Sequence, residues 1–168
     1  MEYTRPATWA DVKTIVRYLD EAGADYALVG AYALAAHGFN RFTEDIDILV
    51  DPSAKNTHRW IAALSRLPDA AASELNDEPD LFGAGRRYAI RINDEITIDV
   101  MPTVGGHTWE AMRPHIVRKR IDDVEISLLD LPGLLKTKGG LRPKDQMDAA
   151  VISAAIQALA RAGLADGK

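Results

Sequence analysis

Asp45 and Asp47 stand one residue apart at the head of the apolar run DIDILV. If residues 45–50 form a strand, side chains alternate between faces, so the two carboxylates point the same way while Ile46, Ile48 and Val50 pack behind them. Two such charges about 4 Å apart repel by roughly 4 kcal/mol at an effective dielectric near 20. A bare pair therefore holds a proton or recruits a cation, and a divalent metal is the economical occupant. The bland alternative is a polar strand end at the surface, and the flanking residues weigh against it. Upstream lie the apolar residues 26–29, then Gly30 and Ala31, which open a short helical stretch ending at His37 and Gly38. Gly30 suits a tight turn approached closely by a ligand, and the helix behind it offers unpaired N–H groups to an anion.

A third carboxylate follows from the same parity. In the segment EITIDV, Ile96, Ile98 and Val100 share one face and Thr97 and Asp99 the other. If this strand lies beside residues 45–50, Asp99 joins the pair, as two-metal phosphoryl chemistry requires of a carboxylate that holds a second ion and assists the attacking hydroxyl. In the connecting segment 40–44, Arg41 suits a phosphate contact and Thr43 can fix the loop beside the carboxylates. The four His residues are scattered, so no zinc site is expected.

The elements that must hold these residues can be read from capping and periodicity. Thr8 and Asp11 form a capping box, and Val12, Ile15, Val16 and Leu19 recur at helical spacing until Gly23. Ser53 opens a helix over about 54–67, with Trp60, Ile61 and Leu64 on its apolar face. Residues 68–85 are polar and small and read as a mobile loop. Residues 86–92 and 95–100 make a hairpin, 102–106 end it, and 116–121 with 124–129 make a second hairpin around Asp122 and Asp123. Asp130 caps a helix reaching about Lys138. The last helix, about 143–162, carries Met147, Val151, Ala154, Ala155, Ala158 and Leu159 as a stripe for packing against the body or a partner.

The order of strands and helices predicts one α/β (α+β) domain over 1–168, a mixed sheet flanked by helices, with its core at about 9–130 and C-terminal helices at about 131–162. A length of 168 residues with 47% hydrophobic and 27% charged residues supports a sizeable core. The absence of cysteine excludes disulfides and thiolate zinc sites and fits a cytoplasmic location. No apolar run approaches the roughly 20 residues that a membrane span needs. The net charge of −5 argues against a protein that coats nucleic acid by global charge. Residues 113–144 nevertheless hold eight Lys or Arg against four acids, a local +4 suited to a phosphate or an RNA end.

Residues 28–50, LVGAYALAAHGFNRFTEDIDILV, resemble the signature of minimal nucleotidyltransferases of the polymerase-β-like superfamily, especially the AbiEii-like toxin nucleotidyltransferases. Ala31 departs from the pattern, standing where a second Gly or Ser is usual. Lys138 and the segment Arg142, Pro143, Lys144, Asp145 and Asp148 resemble the family's later motifs, which border the nucleotide. A Lys beside a triphosphate neutralises charge the metals leave uncovered, and Asp145 or Asp148 can orient it. Lys136 competes for that role, and preference for Lys138 rests on the family pattern. The resemblance implies a nucleotidyltransferase fold and an NTP-dependent, pyrophosphate-releasing enzyme. Asp45, Asp47 and Asp99 would hold two Mg²⁺ ions, with Mn²⁺ as a substitute. Acceptors of such enzymes include tRNA and protein hydroxyls, and a toxin would have an antitoxin partner. The competing expectations are a non-catalytic nucleotide-binding module acting through a partner protein, favoured by Ala31, and a DxD glycosyltransferase, in which the Gly30 turn has no place.

Overall fold

The computed structural model describes residues 4–39, 45–78, 80–83, 86, 88–139 and 143–165. Helix α1 (Trp9–Glu21) begins where the Thr8 hydroxyl accepts the Asp11 N–H and the Asp11 carboxylate accepts the Thr8 N–H at 2.8 Å. It buries Val12, Ile15, Val16 and Leu19, and Gly23 at φ +71° turns the chain into β1 (Tyr26–Val29). All four residues of β1 are buried, as expected of a strand with neighbours on both sides. It pairs antiparallel with β2 (Asp45–Val50) and parallel with β8 (Val124–Leu129). On the far side of β2 lies β4 (Thr97–Met101), parallel to it, and then β3 (Ile90–Asn93), antiparallel to β4. With β7 (Ile116–Ile121) completing the other edge, the mixed sheet runs β3-β4-β2-β1-β8-β7.

Helices α2 (Gly30–Ala36), α3 (Ala54–Leu64), α4 (Trp109–Met112), α5 (Leu131–Lys136) and α6 (Pro143–Ala165) complete the chain. Leu19, Leu28, Ile48, Trp60 and Ile98 are almost wholly withdrawn from solvent. Asn56, at the start of α3, is the polar pin of this core. Its amide donates to the carbonyls of Asp25 (2.9 Å) and Asp51 (2.8 Å), and its carbonyl accepts the Asp25 N–H (2.7 Å). One side chain thereby ties the start of β1 to the end of β2. Asn56→Ala would strand buried backbone groups and should lower stability by about 3 kcal/mol in urea denaturation.

Four expectations need correction. Helix α3 stops at Leu64, because the Ser65 hydroxyl bonds the Ile61 carbonyl at 2.6 Å and the chain turns there. The segment 68–85 is not structureless among its described residues. A 3-10 helix, Ala71–Asp77, is seated on the buried Asp94 carboxylate, which accepts the N–H groups of Asp69 (2.9 Å) and Ala71 (3.0 Å). Residues 102–106 do more than end a strand. They run through β5 (Thr103–Val104) into a small hairpin with β6 (His107–Thr108), turning on Gly105 and Gly106 at positive φ. Finally, of the expected α6 stripe only Ala155 packs on the core. Met147, Val151 and Leu159 are exposed, whereas Asp145, Asp148 and Ile152 are buried and Ala155 and Ile156 pack on the core. Apolar residues nearly encircle this helix, so periodicity alone could not choose its inward side.

Candidate functional site

The strand that opens with Asp45 lies between β1 and β4, and its register with β4 sets Asp47 directly abreast of Asp99 and Asp45 abreast of Thr97. Adjacent registered residues point to the same face of a sheet, so Asp45, Asp47 and Asp99 share one. On the other flank Asp47 pairs with Val29, the residue before Gly30. Gly30 has φ +69°, and a Cβ there would overlap the Asp47 Oδ2 atom and lie 3.2 Å from the Asp47 Cβ. The turn is glycine because the carboxylate needs that space.

Charge crowding follows. Burial, the charges of Asp99 and Asp45, and a hydrogen bond with Asp99 push the Asp47 carboxyl from 3.8 up to about 7, with Arg91 partly offsetting them. Arg91 on β3 lies opposite Asp99 across the antiparallel pair. Its guanidinium makes a fork on Asp99, Nε to Oδ1 at 2.9 Å and Nη2 to Oδ2 at 3.1 Å, and Nη2 also approaches Asp45 Oδ2 at 3.6 Å. Among the described residues no group of three or more His, Asp or Glu side chains is arranged to hold a metal ion as it stands. The donor chemistry nonetheless fits one. Three oxygen-donor carboxylates share a face, burial and mutual repulsion raise the pKa of the middle one, and a guanidinium forks one of them.

The second cluster surrounds Lys138, just beyond α5. Its ammonium lies 3.2 Å from Asp148 and 3.8 Å from Asp145, both on α6 and both buried. The sequence suggested that one of these acids orients Lys138, and the structure brings both to it. Lys136 is exposed, as is Lys144. The β5–β6 hairpin packs against both β2 and the chain leading to Lys138: a Cβ at Gly105 would come within 2.8 Å of the Thr137 backbone.

Helix α2 begins at Gly30 with no side chain capping it, and Ala31 occupies its first turn. His37 has a structural role, its Nε2 lying 2.8 Å from the Leu129 carbonyl oxygen. Arg41, Thr43 and Arg142 lie outside the described residues. The residue that sequence reasoning missed is Arg91. A two-residue turn at 93–94 would have set Tyr88 opposite Asp99, whereas the hairpin leaves Asp94, Glu95 and Ile96 between its paired strands and sets Arg91 there.

A mixed sheet flanked by helices, with Asp47 and Asp99 abreast on adjacent strands and Asp45 on the same face beside a glycine turn, is the architecture of a nucleotidyltransferase. Two solved structures share the fold. The lincosamide antibiotic adenylyltransferase LnuA, solved with lincomycin, aligns with TM-score 0.57 at 15% identity over 88% of this chain and 98% of its own. TM1012 of Thermotoga maritima, proposed to be a nucleotidyltransferase, aligns with TM-score 0.53 at 11% identity over 95% and 93%. No curated protein matches the sequence. The chain belongs to the family described as nucleotidyl transferase AbiEii toxin, Type IV TA system, whose model matches residues 15–138. The matched stretch includes all three aspartates and Lys138 and ends before Asp145 and Asp148. No helix among the described residues is long and apolar enough to cross a membrane.

Proposed function

We propose that this nucleotidyltransferase moves a nucleoside monophosphate from an NTP to a hydroxyl on RNA or protein, and that it is the toxin of a toxin-antitoxin pair. The register that sets Asp47 against Asp99, with Asp45 on the same face, carries this reading. Asp45, Asp47 and Asp99 would hold Mg²⁺, or Mn²⁺ in its place, and the bound ions would supply charge stabilisation for a transferring phosphoryl group. The acceptor oxygen forms a bond to the α-phosphorus, the bond to the pyrophosphate oxygen breaks, and Asp99 takes the acceptor's proton. Backbone N–H groups at the start of α2, around Gly30 and Ala31, would donate to the phosphates. Lys138, held by Asp145 and Asp148, contributes a fixed positive charge beside them. Arg41, Thr43, Arg142 and Lys144 border the nucleotide in this scheme.

The basic edge strand β7 favours an RNA acceptor. Lys119 and Arg120 are exposed along it, whereas Arg118 is engaged by Ser127 at 2.8 Å and by Asp20 at 3.5 Å. The available positive surface is therefore smaller than the local charge count suggested. The family's description as the toxin of a Type IV system supports an antitoxin encoded with it.

Incubation with each α-labelled NTP, Mg²⁺, and total RNA or a cell lysate tests the reading. Label should pass to RNA or protein, and Lys138→Met should reduce transfer by about 100-fold, the lower end of what losing one preorganised electrostatic contact costs. Circular dichroism at the assay temperature checks that the variant is folded, since the substitution leaves Asp145 and Asp148 without that cation. Nucleotide binding without transfer to any acceptor would overturn the reading in favour of a binding module. Transfer to a small hydroxylated antibiotic alone would replace the macromolecular acceptor.

A further inference from the structure

We propose that Arg91 is the resident counter-cation of the carboxylate trio, a positioning residue that occupies Asp99 and Asp45 in the metal-free protein and releases Asp45 when a divalent cation enters. The inference rests on the reading that these carboxylates hold a metal.

Three observations support it. The guanidinium engages both oxygens of Asp99 and reaches Asp45 with the same Nη2, so a single side chain spans two of the three carboxylates. The side chain of Asp99 is only 14% exposed, whereas that of Arg91 is 59% exposed. Asp99 is thus held by the fold, while more than half of the cation above it faces water. Arg91 also stands directly opposite Asp99 in the β3–β4 register, so the sheet itself aims it at the trio.

An ordinary surface ion pair joins one cation to one anion and contributes little. Arg91 differs because one guanidinium engages two of three crowded carboxylates at once. The planar fork fixes the Asp99 carboxylate in one orientation, which a lysine ammonium cannot do. The contact to Asp45 is longer and has no such fork, so Asp45 is the ligand given up first. Each carboxylate oxygen retains a second lone pair, and Asp99 can remain on the Arg91 fork while coordinating.

The test is Mn²⁺ binding followed by electron paramagnetic resonance, with thermal melting in EDTA and in Mn²⁺, on the parent, Arg91→Gln, Arg91→Lys and Asp47→Asn. Arg91→Gln should bind Mn²⁺ about tenfold more tightly than the parent, since the ion no longer competes with a resident charge. It should melt lower in EDTA and gain more on adding Mn²⁺. Arg91→Lys keeps the charge and should stay within about threefold of the parent. Asp47→Asn should lose binding. A parent that binds Mn²⁺ and an Arg91→Gln that binds it equally or more weakly would overturn the role of Arg91 and leave the metal reading standing. Binding gained only in Arg91→Gln would support the competition directly. No binding by any of the four would overturn both.

Discussion

Asp47→Asn should yield a protein that resists denaturant better than its parent in metal-free buffer near pH 8 and transfers no detectable nucleotide. The first half follows from the raised Asp47 carboxyl, 3.8 in the unfolded chain and about 7 in the fold. Below the lower value both states carry the proton, and the site costs nothing. Between the two, the folded state binds a proton that the unfolded chain has released, so stability falls as pH rises. Above about 7 the loss is complete, and by linkage amounts to roughly 2–4 kcal/mol. Asparagine carries no charge, so the variant's advantage should be full above pH 7 and vanish towards pH 4. Denaturation in EDTA across that range measures it. Adding Mg²⁺ should stabilise the parent alone and reverse the order. The second half follows because the carboxylate lost is the middle of the trio. A fall in transfer of at least about a thousandfold is expected for a group on which the charge stabilisation of the reaction depends.

Gly30→Ala should damage the same carboxylate from the other side. Alanine at φ +69° costs about 1 kcal/mol in backbone strain, and its Cβ claims the space of the Asp47 Oδ2 atom. The added methyl would also lie 3.2 Å from the Asp47 Cβ, so the collision must displace the carboxylate from its place beside Asp99. Transfer should fall by about a hundredfold, the scale on which a displacement near 1 Å acts in a preorganised site. A double-mutant cycle separates the two effects. In an Asp47→Ala background the steric part disappears and only the backbone strain remains, so Gly30→Ala and Asp47→Ala should couple in stability by about 1 kcal/mol or more. Additive effects would show that Gly30 and Asp47 do not compete for space.

The carboxylate geometry was largely legible because it depends on parity. A DxD at the head of an apolar strand has one arrangement, and EITIDV places Asp99 by the same alternation. The shared face needed one further fact, that β2 and β4 are direct neighbours, and nothing local in either strand encodes a pairing across so long a separation. Arg91 was overlooked for a related reason: an Arg on a weakly alternating strand looks solvated until its register with Asp99 is known. Asp94 looked like a turn residue, but its carboxylate supplies acceptors to backbone that would otherwise have read as loop. The inward face of α6 escaped because its apolar residues are spread too evenly to show a direction. There the decision belongs to Lys138, which draws Asp145 and Asp148 inward.

The pairing of β2 with β4 also bears on when the protein can act during its own synthesis. A ribosome that has just joined Asp45 must add 54 more residues before Asp99 exists, about 3–10 s at ordinary translation speed. Until then the growing polypeptide carries the first two acids without the third, and β1 must wait longer still for Leu128 to arrive at its open edge. Any fragment that terminates early lacks either the third acid or the strand that closes the sheet. The carboxylate trio and the sheet that holds it are therefore completed late in translation, not accumulated piece by piece.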